Sequence, residues 1–144
     1  MNVTYPESEA GEGARRLSCK GIFDWKEEEE IHGLGQAEEG IYNYRGHNQY
    51  LYQHNMRIPM PLFVSTEGYG VLFDCCSLMT FNDEGRESYL FLDTVDQIDY
   101  YFMGGNTMDG IIHAYRYLTG KAQMLPKWLM VISSPRSNII LPKN

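Results

Sequence analysis

Gln53, His54 and Asn55 stand side by side in this 144-residue chain, three neutral side chains that offer amide donors, amide oxygens and a ring nitrogen. Such groups suit a ligand dense in hydroxyls better than a phosphate, which wants cations, or a metal, which wants convergent thiolates, imidazoles or carboxylates. They lie in a stretch from His32 to Ser65 where Gly33, Gly35, Gly40 and Gly46 let the backbone take positive φ and fold tightly. Tyr42, Tyr44, Tyr50 and Tyr52 add flat rings with one polar tip each. Amides, aromatic rings and tight turns together read as sugar chemistry. Arg45 and His47 fall inside the glycine turns and are expected to fix them rather than to meet a ligand. Aromatic residues make up 13% of the chain, and for most of the 11 tyrosines the preference of strands for such rings is sufficient, so they are assigned to a core.

Carboxylates do not assemble into a second candidate. Asp93, Asp96 and Asp99 are parted by strand alternation and a turn; Asp83 and Glu84 fall in an FNDEG turn, where solvent accounts for their charge; Glu27 to Glu30 read as a solvated turn. No catalytic residue is assigned. Cys19, Cys75 and Cys76 are read as reduced thiols buried as small hydrophobes, because neighbouring cysteines seldom bridge. His32, His47, His54 and His113 show no short paired spacing with them, so no metal and no cofactor is expected. With 12 Lys and Arg against 19 Asp and Glu the net charge is −7, which disfavours nucleic acid and anionic membrane as partners. No apolar run approaches the ~20 residues of a membrane-spanning helix. Met1 is followed by polar and acidic residues, so no leader is visible, and the compartment is not assigned.

The elements that must hold the stretch are short and β-rich. Residues 1–18 carry no apolar period and read as a loose N-terminal segment. Residues 19–106 read as an all-β antiparallel sandwich. Strands are expected at Cys19–Trp25, Ile41–Tyr44, Gln49–Gln53, Ile58–Val64, Tyr69–Asp74, Leu78–Phe81, Ser88–Asp93 and Gln97–Met103, with glycine and Asx turns between them. Pro59 and Pro61 remove two amide donors from one side of their strand, which predicts an edge or a bulge. Met108, Ile111, Ile112, Tyr115 and Leu118 then recur at helical spacing, with Thr107 as N-cap, Asp109 in the first turn and Gly120 as the stop. Residues 107–130 therefore hold one amphipathic helix of about three turns and a linker.

Five motifs in order, HGLGQAEEG, NYRGH, QHN, IPMPLFVSTEGYGVLFD and AYRYLTGKAQMLPKW, resemble the N-terminal galactose-mutarotase-like sandwich of glycoside hydrolase family 31, the α-glucosidases and α-xylosidases. The resemblance implies a sandwich, incomplete here, that packs on a (β/α)₈ barrel, with the MLPKW segment leading into the barrel's first strand. It implies that the loop bearing QHN leaves the sandwich, reaches over the barrel and offers an Asp or Asn to the sugar in the cleavage subsite. Asn55 is the residue so placed, with Gln53 and His54 as weaker neighbours; the alternative is that all three cap a turn. An α-linked oligosaccharide is then the ligand of the whole enzyme, and the barrel is the partner domain missing from this polypeptide. Glycoside hydrolysis needs two carboxyl groups about 5 to 10 Å apart. No residue here matches either family motif that supplies them, so the chain alone is expected to be inactive. Barrel residues set the choice between α-glucosidic and α-xylosidic substrates. The reading from a different class is a free-standing sandwich that acts as a carbohydrate-binding or interaction module.

Residues 131–144, VISSPRSNIILPKN, depart from the family, which continues with a Gly-Tyr-x-Gln-Ser strand. Codons exist for this tail such that restoring a single G after the Met130 codon yields GYIQSKEQYNTSQK, which supplies that segment. The tail is therefore expected to be read out of frame, the plainer reading being an ordinary flexible terminus.

Overall fold

A computed structural model describes residues 2–4 and 17–127 of the chain. The elements in order are β1 (Asn2–Thr4), β2 (Leu17–Phe23), β3 (Ile31–Gln36), β4 (Asn48–Leu51), β5 (Ile58–Ser65), β6 (Tyr69–Phe73), β7 (Met79–Asn82), β8 (Ser88–Val95), β9 (Tyr100–Gly104) and α1 (Met108–Thr119). They form two antiparallel sheets, ordered β1-β2-β8-β7-β4 and β3-β5-β6-β9. This is the antiparallel sandwich that the strand spacing predicts. The expectation for residues 131–144 lies outside the described residues.

Alternation along the strands sends one set of side chains between the sheets. Cys19 and Phe23 of β2, Leu51 of β4, Met79 and Phe81 of β7 and Leu90 and Leu92 of β8 face Ile31, Leu34, Phe63, Val71 and Phe73 of the other sheet. Each such aliphatic or aromatic side chain contributes about 1.5–3 kcal/mol on leaving water, so this layer accounts for most of the fold's stability. The second half of β5, Leu62–Ser65, is buried on both faces. Phe63 points into the sandwich, whereas Leu62 and Val64 point outward to Met103 and Ile111, where α1 covers the second sheet. That double burial is why Leu62, Phe63 and Val64 are apolar without alternation. The helix starts and stops where its signals lie: Thr107 Oγ1 accepts from Gly110 N at 3.1 Å, and Gly120 takes φ 85°.

Four expectations are corrected. Residues 1–18 are not loose throughout, because Asn2–Thr4 pairs antiparallel with Lys20–Ile22 and β2 begins at Leu17; a three-residue edge strand is too short to show a period. Ile41–Tyr44 forms no strand. The Asn43 side chain takes the Ile31 amide that a ladder would have paired with backbone, so the segment lies alongside β3 without joining the sheet. Gly33 and Gly35 are strand residues of β3, at φ 108° and 95°, not turn residues. Their partner is β5, and a Cβ on Gly35 would stand 2.0 Å from Ile58 O, so glycine is there for close approach of two backbones. Finally, only Cys19 is fully buried; Cys75 is half-buried and Cys76 is exposed, because the chain leaves the ladder after Phe73.

The prolines of β5 show where both alternatives of that expectation hold locally. β6 pairs only with Leu62–Ser65, so Pro59 and Pro61 lie on a part of β5 that projects past its neighbour. On the other side the register with β3 shifts between Gly33 and Gly35, a bulge that absorbs the missing donors.

Candidate functional site

The QHN segment forms the loop between β4 and β5, and its tip is a four-residue turn from His54 to Arg57, closed by Arg57 N donating to His54 O at 3.2 Å. Met56, third in the turn, sits at φ 65°. Glycine or asparagine normally fills that position, and a larger side chain there costs about 1–2 kcal/mol. Burial does not offset the cost, since Met56 is 66% exposed. Strain of this kind clusters at functional loops.

The turn uses its three candidate residues unequally. Gln53 Nε2 donates to His54 O at 3.1 Å and also to Arg57 O. His54 Nδ1 lies 2.9 Å from Asn55 O, a contact in which the ring nitrogen donates to the carbonyl. Asn55 is exposed at the tip, and its side-chain amide has no hydrogen-bond partner among the described residues. Gln53 and His54 thus cap the turn, and Asn55 remains with both an amide donor and an amide acceptor to offer. The rings of Tyr50, Tyr52 and His54 stand beside one another at 6.2 and 5.0 Å between centroids, on the exposed side of the same segment. A second loop, residues 37–40, faces this one. Between them opens a cleft of about 500 Å³ with Ala37, Met56 and Ile58 as apolar wall and Gln36, Glu38 and Gln53 as polar rim.

At the other end of β5 the chain buries charge that its sequence gave no reason to bury. Glu29 is 4% exposed, not part of a solvated turn. It accepts from Ser65 Oγ at 2.5 Å, Tyr69 OH at 2.7 Å and Lys26 N at 3.0 Å. Burial opposes its ionisation, yet the bonds from Ser65, Tyr69 and Lys26, with Arg45 close by, hold its carboxyl below the ordinary value. Burial and the Glu29 carboxylate together push the Tyr69 phenol upward.

Asp83 is likewise no solvent-facing turn residue: its side chain is 5% exposed. Arg45 Nε at 3.0 Å, Gly46 N at 2.6 Å, Trp25 Nε1 at 3.1 Å and Ser88 Oγ all donate to it. Desolvation again acts against ionisation, and the Ser88, Gly46 and Arg45 contacts overcome it, so the Asp83 carboxyl also lies below its ordinary value. Arg45 Nη1 donates in addition to Lys26 O and Glu29 O, at 2.9 and 2.7 Å. Arg45 therefore fixes the glycine turn at Gly46, as its position predicts. His47 contributes through its backbone, its amide donating to Tyr44 O and its carbonyl accepting from Asp83 N. The signal for this network was present only as a lone arginine among turn residues; its partners lie 38 positions on, at Asp83, and in a run of four glutamates of which one is buried.

No group of His, Cys, Asp and Glu side chains among the described residues converges as a metal site. A separate apolar cavity of about 270 Å³ opens near Trp25, Phe63 and Phe102, toward the Tyr69 end of the second sheet and away from Asn55. Aromatic rings line it and Asp24 is its one charged residue, so it has no convergent polar set to orient a ligand.

No protein-family model matches the chain. An α-xylosidase of Saccharolobus solfataricus is 36% identical over 115 residues, 74% of this chain and 16% of that protein. An isomaltosyltransferase of Sporosarcina globispora is 29% identical over 89 residues, 56% of this chain and 8% of its own length. Among solved structures, a family 31 α-xylosidase from a soil metagenome, complexed with xylose, superposes with a TM-score of 0.76 at 25% identity, covering 85% of this chain and 18% of that one. A family 31 dextranase of Flavobacterium johnsoniae, complexed with glucose, gives 0.63 at 29% identity over 86% of this chain and 16% of that one. The chain thus spans less than a fifth of the length of these relatives.

Proposed function

The chain belongs to glycoside hydrolase family 31, as part of the N-terminal β-sandwich, and on that premise we propose that it serves an α-glycosidase by presenting Asn55 to the sugar. The observation that carries the reading is the unequal use of the QHN turn: two residues cap it, and the third is left with its amide outward at a strained tip. An amide is apt for the task. It donates to one sugar hydroxyl and accepts from another, and it adds no charge that would disturb two carboxyl groups whose pKa values must be held apart. Those carboxyl groups belong to the barrel domain of the whole enzyme, and α-linked oligosaccharide is its substrate class. Xylosides are the first substrates to test, because the α-xylosidase of S. solfataricus is 36% identical.

The test places residues 17–127 in that α-xylosidase in exchange for its own sandwich and measures kcat/KM on p-nitrophenyl α-xyloside. Asn55→Ala is expected to lower kcat/KM about tenfold, the loss of one or two neutral hydrogen bonds. A value within about twofold of the parent chimera overturns the role of Asn55. The 144-residue polypeptide alone should release no nitrophenol above background, since the acid and the nucleophile are both needed. Protein-dependent release would overturn the assignment of the carboxylates to the barrel. Titration of the isolated chain with xylose-containing oligosaccharides separates the module reading, which requires binding without a barrel.

A further inference from the structure

Resting on the reading of Asn55 as a sugar contact, we propose that Arg57 and Glu39 form a latch that positions the Asn55 turn by tying it to the 37–40 loop. Four observations converge on Arg57. The β3–β5 ladder has its last pair at Gln36 and Ile58, so beyond that point no backbone pairing holds the two loops together. The Arg57–Glu39 ion pair is the cross-link just past that end. It is also partly sheltered, with the Arg57 side chain 19% and Glu39 37% exposed, which strengthens it relative to a pair in open water. Arg57 grips the turn itself as well, its amide donating to His54 O and its carbonyl accepting from Gln53 Nε2.

The base of the loop needs such a clamp. β6 does not reach the first half of β5, and Pro59 and Pro61 remove donors there, so the strand that carries the turn is held from one side only. Met56 at φ 65° adds a conformation that persists only where its surroundings fix it. With the ion pair in place, the guanidinium pulls the last residue of the turn toward the 37–40 loop and fixes the direction in which Asn55 points. Without it, the turn keeps its internal hydrogen bonds and moves as a unit about a weakly held strand.

The experiment is ¹⁵N relaxation on the full chain, comparing the parent with Arg57→Met, Glu39→Gln and the charge-exchanged Glu39→Arg/Arg57→Glu. Backbone order parameters at Asn55 and Met56 are expected to fall from about 0.85 to below about 0.6 in each single variant and to recover in the exchanged pair. Melting temperature should move by less than about 3 °C throughout, since the core lies elsewhere. A merely structural ion pair would do the reverse, lowering the melting temperature and leaving the turn as rigid as before. Unchanged order parameters in both single variants, or an exchanged pair as mobile as either, overturns the latch. Sugar plays no part in this measurement, so its failure leaves the Asn55 reading standing, and failure of the chimera assay leaves the latch standing.

Discussion

Asp83→Ala removes one carboxylate and strands four donors at once, those of Trp25, Arg45, Gly46 and Ser88. Removing one partner of a buried ion pair costs about 3–5 kcal/mol, and each buried donor left unmade about 1–3 kcal/mol. The Arg45 side chain is 26% exposed and keeps the carbonyls of Lys26 and Glu29, so water and these acceptors recover part of the loss. The expected cost is therefore at the lower end, about 3–4 kcal/mol. In a chain of 144 residues that corresponds to a fall of about 10 °C in the melting temperature at neutral pH, followed by far-UV circular dichroism. Trp25 fluorescence should shift as its indole N–H loses its acceptor. Arg45→Met combined with Asp83→Asn should cost less than the two single changes added, by about 1 kcal/mol or more, because neither charge is then left alone. A fall of less than about 3 °C in a folded Asp83→Ala protein would return Asp83 to the role of an ordinary turn residue and refute the network.

The same carboxylates set the acid limb. Glu29 and Asp83 have folded-state values below their ordinary 4.5 and 3.8, so their contribution is complete above those values and is lost as pH falls through the lower folded ones. Asp83→Asn should flatten the dependence of stability on pH below about pH 4, and a limb as steep as the parent's would remove Asp83 from it. Gly35→Ala brings a Cβ to 2.0 Å from Ile58 O at φ 95°, whereas Gly40→Ala meets open space at φ 66°. Gly40→Ala should cost about 1 kcal/mol and Gly35→Ala at least about 3 kcal/mol or the cooperative melt itself; equal costs would refute the close approach of β3 and β5. On α1, Ile111 is fully buried, but Ile112 is 48% and Leu118 44% exposed, so the apolar stripe is only half covered. A dye such as ANS should brighten on the folded chain and lose most of that signal in Ile112→Lys/Leu118→Lys, and a parent that ignores the dye counts against an uncovered face.

What the sequence made legible is what repeats or punctuates locally. The helix could be placed to the residue because Thr107, Asp109 and Gly120 mark its ends and its apolar spacing is 3.6-fold. The β5–β6 hairpin and the β7–β8 hairpin followed from turn residues between apolar runs. β3 is not legible in the sequence, because IHGLGQ holds two glycines, which weigh against a strand, and only contact with β5 explains them. The burial of Glu29 and Asp83 is hidden from the sequence for a related reason. A carboxylate is assigned to water by default, and the donors that reverse that assignment come from Tyr69, Arg45 and Trp25, tens of residues away in the chain. Composition cannot report a partner; only topology brings it near.

β5 joins these two kinds of information. At its Ser65 end it is locked: Ser65 donates to the buried Glu29, Thr66 Oγ1 accepts from Glu30 N, and β6 pairs with every residue from Leu62 to Ser65. At its Ile58 end it loses β6, carries two prolines and runs back into a strained turn with Asn55 at the tip. A strand clamped at one end and lightly held at the other gives the turn a fixed origin while leaving its tip free of the core. A sugar contact supplied by a sandwich to a site on another domain needs both properties, since the first sets where the amide is and the second lets it stand clear of its own domain. If the locked end is the source of that fixed origin, Glu29→Gln should raise the mobility of residues 54–56 only as far as it destabilises the whole sandwich. Arg57→Met should raise it with no such loss. Local motion at 54–56 that rose in Glu29→Gln at unchanged melting temperature would contradict this division of labour.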